Sequence, residues 1–177
     1  MTDKKKLSGE ERRELLLKWL QNEKKPLTGS ELAEKARVSR QVIVGDMTLL
    51  KARGIPVMAT SQGYVYLPKH DREGFERVVA CIHPPEMAEK ELLLLVDLGI
   101  LVKDVKIEHS VYGDLTASIM VSNRKEVHRF LDRIQETNAA YLSELTGGVH
   151  LHTISAKDES ALDEAEQALQ DAGFLLE

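Results

Sequence analysis

Residues 28–54 read TGSELAEKARVSRQVIVGDMTLLKARG, and the order of caps, apolar positions and stops in this stretch decides the fold of the first half of the chain. Thr28 or Ser30 can cap a short helix through Leu32, Ala33 and Ala36, because a side-chain oxygen there satisfies amides that an opening helix leaves unpaired. Arg37, Val38 and Ser39 form a turn. Ser39 then caps a further helix with Val42, Ile43, Met47, Leu49 and Leu50 as its apolar positions, and Gly54 and Pro56 stop it. Two helices joined by so short a turn make a helix-turn-helix, whose second helix enters the major groove of DNA with its first turn against base edges.

The side chains at that first turn suit the task. Arg40 can donate a bidentate pair to guanine and Gln41 can pair with adenine. Ser39 suits a phosphate held at the helix N-terminus. Lys51 and Arg53, with a basic arm at Lys4, Lys5 and Lys6, add affinity that depends on salt and not on sequence. Gly45 inside this helix costs about 1 kcal/mol relative to Ala, so it either permits a close backbone approach or is simply tolerated. The alternative is a three-helix or winged module used for protein contact, its cations merely solvated.

Upstream, Leu15, Leu16, Trp19 and Leu20 follow Ser8 at helical spacing, and Glu11 completes a capping box, which predicts a helix over 9–22. Downstream, residues 55–60 and 64–67 flank Ser61, Gln62 and Gly63 and read as a hairpin, the wing. Residues 1–69 are therefore a winged helix-turn-helix, and the polar stretch 68–74 is a linker. Residues 70–177 carry strands at 75–83, 102–111, 115–121 and 148–154 and helices at 86–98, 125–137 and 160–172. The order β-α-β-β-α-β-α is that of a ferredoxin-like split βαβ domain, so the chain is α+β.

Charge separates the halves as well. Residues 1–69 hold 14 Lys/Arg against 8 Asp/Glu, a net of +6, and residues 70–177 hold 10 against 21, a net of −11. A polyanion partner therefore belongs to the first half. With 42% hydrophobic and 30% charged residues the chain has the balance of a globular protein. No run reaches the roughly 18 apolar residues of a membrane span, and charges interrupt the start where a signal peptide would be apolar; the expectation is a cytoplasmic protein with no membrane partner. The single Cys81 cannot form an intramolecular disulfide and reads as a buried small hydrophobe.

His150 and His152, two apart on a strand, project from one face. In a split βαβ sheet the fourth strand pairs with the first, which ends at His83, so three imidazoles can converge. Glu91 can add a carboxylate if the following helix packs back over that strand end; Glu86 and Glu89 are rivals on other sides of the same helix. Three nitrogens and an oxygen suit zinc, nickel, iron or cobalt, and suit calcium or magnesium poorly. Hydrogen-bonded surface histidines remain the alternative, and His70 and His128 are expected to be just that.

Taken in order, SRQVIV, LLKARG and GYVY in the first half and HSVYGDL and LTGGVHLHTI in the second resemble the niacin-responsive transcriptional repressors, built from a biotin-repressor-type helix-turn-helix and a three-histidine (3H) domain. The sequence departs from that pattern at Gly45 and at Ser110. The resemblance implies a homodimer bound to double-stranded operator DNA, repressing genes of NAD synthesis or niacin uptake with nicotinic acid as co-repressor. It also implies a divalent transition metal (nickel, zinc or iron) at His83, Glu91, His150 and His152. An open coordination position could then hold one end of a pyridine carboxylate while His109 and Tyr112 lie near the other. The rival functions are a metal-sensing repressor and a metal-dependent hydrolase. For the hydrolase the sequence offers no nucleophile triad, no P-loop and no clearly placed general base, so a non-enzyme is expected.

Overall fold

Ser8, Thr28 and Ser39 each open a helix in the computed structural model, which describes residues 7–68 and 74–176. The basic arm at Lys4, Lys5 and Lys6, most of the linker, and His70 lie outside the described residues. The chain divides into two units, Met1–Asp71 and Arg72–Glu177.

In the first unit, helices α1 (Gly9–Asn22), α2 (Gly29–Ala36) and α3 (Arg40–Ala52) precede strands β1 (Val57–Thr60) and β2 (Gly63–Tyr66). Full capping boxes start α1, through Ser8 and Glu11, and α2, through Thr28 and Glu31. Arg37 ends α2 in the left-handed region at φ 54°, and Ser39 accepts the Val42 amide to begin α3. Leu16, Leu20, Leu32, Ile43, Met47 and Leu50 form the core, joined by Leu27 and Val57. Asp46, only 3% exposed, sits on the inner side of α3 and accepts from Arg12 at 2.5 and 3.2 Å and from Arg13 at 3.2 Å. This ion pair ties α3 to α1 and fixes which face of α3 is left outside. Gly63, at φ 131°, lets β2 meet the chain at Leu27, whose carbonyl oxygen would lie 2.6 Å from any Cβ there.

The second unit holds β3 (Phe75–Ile82), α4 (Ala88–Asp97), β4 (Leu101–His109), β5 (Gly113–Ala117), α5 (Arg124–Thr137), β6 (Val149–Ala156) and α6 (Glu159–Asp171). The strands form an antiparallel sheet in the order β3-β6-β4-β5. Both crossovers are split: β3 and β4 run parallel with β6 between them, and β5 and β6 run parallel with β4 between them. The α+β class and the element order are those read from the sequence. The strand order is particular to this sheet. The ferredoxin-like order sets the first and third strands inside, whereas here the fourth strand, β6, is inside and the first, β3, lies at the edge.

The burial of the strands explains that placement. β6 buries His150, His152, Thr153, Ile154 and Ala156, the profile of a central strand, while the outer edge of β3 is partly covered by the chain end, where Ile82 donates to Phe174 and Leu176 donates to Ala80. A register shift between Val102 and Asp104 brings Val102 and Val105 onto one face. That face, with Val79, Cys81 and Ile154, packs under Leu92, Leu95, Val127, Leu131, Leu162 and Leu169 of the three helices. The opposite face leaves Val78, Ile82, Val149 and Leu151 exposed.

Candidate metal centre and nucleic-acid interface

The pairing of β3 with β6 sets Val79 opposite His152 and Cys81 opposite His150, and His83 follows at the end of β3. With β6 between two neighbours, His150 and His152 turn toward the helices, and α4 packs back over the strand end. The short turn Pro85–Met87 comes first, so α4 opens at Ala88 and Glu91 lies in its first turn. Glu91 is 1% exposed, and His83, His150 and His152 are buried beside it. Of the three rival carboxylates, Glu91 alone meets the histidines; Glu86 and Glu89 border shallower surface grooves, and His128 is exposed beside Glu89.

The geometry converges on one point. Glu91 Oε2 lies 2.7 Å from His83 Nε2, 3.3 Å from His150 Nε2 and 3.2 Å from His152 Nε2. Each Nδ1 faces a backbone carbonyl: Pro84 at 2.9 Å, Gly148 at 2.8 Å and Asp104 at 2.6 Å. A carbonyl can only accept, so Nδ1 carries the proton and Nε2 of each neutral ring presents a lone pair toward the carboxylate. Three lone pairs and a carboxylate repel unless protons or a cation stand among them. Backbone partners of this kind are what orient metal-ligating histidines. Glu91 Oε1, buried, has no hydrogen-bond partner among the described residues. The donor set fits a divalent transition metal held by His83, Glu91, His150 and His152.

The electrostatics point the same way. Burial by itself would push the His83 and His152 rings down, but the Glu91 carboxylate outweighs it and both shift upward. Burial would push Glu91 up, yet the surrounding imidazoles, His152 foremost by its charge, hold it well below the ordinary carboxylate range. The site favours positive charge at its centre. Gly148, at φ 94°, is part of the construction: a Cβ there would stand 2.4 Å from the His83 carbonyl oxygen. Gly148, directly before VHLHTI, is therefore needed for the close approach of the two histidine-bearing segments.

These four residues form one wall of a cavity of about 290 Å³, lined otherwise by Leu92, Val105, Ile119, Phe130, Ile134, Tyr141 and Ser143 among others. Neither His109 nor Tyr112, expected near the ligand, lines it. The reason is local: His109 Nδ1 accepts from the Val111 and Tyr112 amides at 3.1 and 3.2 Å, so the ring closes its own hairpin tip, and Tyr112 is 75% exposed. The polar groups at the cavity come from the segment before β6, which the sequence reading passed over as connection. Tyr141 precedes a short helical turn, Leu142–Thr146, that contains Ser143, and Tyr141 donates its amide to Glu144 three residues on. That spacing was the available signal.

On the first unit, Ser39, Arg40 and Gln41 are exposed at the start of α3, followed along the outer side by Gly45 and Thr48. Thr48, absent from the sequence reading, bonds back to the Val44 carbonyl at 2.8 Å. Lys51 leans toward the wing, its Nζ 5.9 Å from the Tyr64 ring. Arg53 is engaged within the protein, its guanidinium meeting Glu10 at 2.6 and 3.0 Å. Its part as a free phosphate contact is thereby reduced, and it serves to fasten the end of α3 to α1.

A winged helix-turn-helix with an exposed recognition helix, followed by a domain with a buried polar centre and an adjoining cavity, defines a DNA-binding regulator. Residues 76–177 match the 3H domain and residues 12–65 match a helix-turn-helix domain. The chain is 59% identical to the transcription repressor NadR of Bacillus subtilis over 99% of both chains, and 40% identical to the probable transcription repressor NiaR of Thermotoga maritima over 95% of both. The chain belongs to the niacin-responsive repressor family, in which a helix-turn-helix precedes a 3H domain. It is a DNA-binding transcription repressor and not an enzyme. No helix among the described residues is long and apolar enough to cross a membrane.

Proposed function

We propose that the protein represses genes of NAD synthesis or niacin uptake in the cytoplasm, binding operator DNA as a homodimer with nicotinic acid as co-repressor and a divalent transition metal in the second domain. The observation that carries this reading is the convergence of His83, His150 and His152 on Glu91 at the wall of an apolar cavity. Size supports a small effector: a cavity of about 150 Å³ suffices for benzene, so about 290 Å³ accommodates one substituted ring and not a dinucleotide. When bound, nickel, zinc or iron would supply a Lewis-acid position for the pyridine nitrogen or the carboxylate. Phe130, Ile134 and Leu92 would hold the ring and exclude water, and Tyr141 or Ser143 would donate to the ligand's polar end. Tyr141 keeps its proton well, since burial, with Glu89 and Glu144 nearby, raises its pKa.

Ligand affinity that differs between DNA-competent and incompetent states shifts the population toward the former. The test is a fluorescence-anisotropy titration of a promoter fragment from a niacin or NAD-synthesis operon with metal-loaded and chelated protein, with and without nicotinic acid. Tight, salt-sensitive binding only with both metal and nicotinic acid is expected. Full response to nicotinic acid after chelation would remove the metal from the mechanism. The burial of the centre favours one rival, a repressor that senses the metal itself, and operator affinity that follows metal without further response to nicotinic acid would establish it.

A further inference from the structure

Beside the cluster of His83, Glu91, His150 and His152 one more polar side chain is buried. Cys81 is wholly buried on the helix-facing side of β3, directly across from His150 in the sheet register. Buried cysteines ordinarily act as small hydrophobes, and burial with the nearby Glu91 charge pushes this thiol well above its ordinary range, so it stays protonated when no metal is bound. Two observations set it apart. Its Sγ, a Glu91 carboxylate oxygen and a His150 ring nitrogen all lie within 4.8 Å of one another. Glu91 Oε1, buried and without a hydrogen-bond partner among the described residues, leaves a second anionic oxygen in this cluster open to a cation.

We propose that Cys81 is a further ligand of this centre, engaged by thiophilic divalent ions such as cadmium, cobalt or zinc together with Glu91 and His150. The proposal rests on the metal-centre reading and extends it to the choice of ion. Sulfur at about 2.3 Å and nitrogen at about 2.1 Å from a shared tetrahedral ion lie about 3.6 Å apart. Drawing the three atoms together from 4.8 Å or less takes about 1 Å of side-chain movement, within the reach of small χ adjustments. As the metal–sulfur bond forms, the S–H bond breaks and its proton passes to the buffer; no electrons change hands. Soft ions gain most from the exchange, because thiolate suits them better than imidazole or carboxylate does. Magnesium and calcium, which prefer oxygen, gain nothing.

Full-length protein and its Cys81→Ala and Cys81→Ser variants, each loaded with cobalt(II), test the idea by absorption spectroscopy. The visible d–d bands report binding by the histidines, and a near-ultraviolet sulfur-to-cobalt charge-transfer band reports the thiolate. All three proteins should show the d–d bands, and only the wild type the charge-transfer band. Competition titrations should show cadmium affinity relative to nickel falling by about tenfold or more in both variants, on the scale of the losses known for perturbed metal sites. The wild-type spectrum decides the matter even if a variant folds poorly. Wild-type d–d bands without the charge-transfer band would overturn the role of Cys81 and leave the histidine centre standing. Absence of d–d bands from all three would remove the centre itself.

Discussion

At Glu91 burial and charge act in opposite directions, and the charge of the neighbouring rings prevails. The same balance gives the protein a definite pH response in the absence of the proposed metal. The raised His83 and His152 rings contribute stability that is complete below their ordinary value of 6.5 and lost as the pH climbs through their folded-state values. The lowered Glu91 contributes stability that is complete above its ordinary 4.5 and lost as the pH falls through its folded-state value. Chelated protein should therefore be most stable between those limits. Hydrogen bonds to charged groups are worth about 1.5–3 kcal/mol each, so the loss on raising the pH should be visible in thermal melts. Metal-loaded protein, whose imidazoles are already neutral ligands, should not show it. Glu91→Gln should flatten the alkaline slope of the chelated protein and weaken metal binding by about 100-fold or more, beyond the usual cost of losing an outer partner. An unchanged slope in Glu91→Gln would mean that other groups set the pH response.

The helices and strands were largely legible, because caps and apolar spacing are local signals: Ser8, Thr28 and Ser39 open the helices that their sequences announce. The convergence of His83, His150 and His152 was legible for a similar reason, since strand alternation and one pairing rule bring them together, while the place of Glu91 beside them depended on how α4 packs back over the strand end. What escaped depends on tertiary contacts. Nothing local tells Arg53 to choose Glu10, 43 residues away, over solvent, and nothing in VHLHTI says that its strand lies between two others. Gly45 is legible only in part. On α3 it is exposed, and a Cβ built there meets nothing within 4 Å, so no neighbour in the fold demands a glycine. Gly45→Ala should then stabilise the protein by roughly 0.8–1 kcal/mol, the helix-propensity difference. If α3 needs the bare backbone for close approach to DNA, the same variant should bind operator more weakly. Denaturant melts and anisotropy read the two effects separately, and stabilisation with undiminished operator affinity would make Gly45 a tolerated residue.

Across the whole chain, the basic and acidic halves assign DNA to the first unit and leave the second free for other contacts. In the homodimer proposed above, two recognition helices would read half-sites a turn apart, about 34 Å, and would need a symmetric contact that joins two copies. The exposed face of the β3-β6-β4-β5 sheet offers one. Val78 is 54% exposed and pairs across the register with Thr153, while Ile82 and Val149 pair with each other beside Leu151, itself 39% exposed. Apolar side chains gathered on one face of a sheet are unusual on the surface of a monomer. The polar groups around them are already paired: Lys106 with Thr153 at 2.8 Å and Lys103 with Glu76 at 2.5 Å. A self-complementary contact here would bury the apolar stripe without stranding a charge. Val78→Asp combined with Leu151→Lys should leave each copy folded, since both sites are surface-exposed, yet shift sedimentation from dimer toward monomer. Operator affinity should fall with it, because each monomer then binds a half-site without its neighbour. A double variant that sediments as a dimer and binds operator normally would place the contact elsewhere, with the exposed Val111 and Tyr112 of the hairpin tip as the next residues to change.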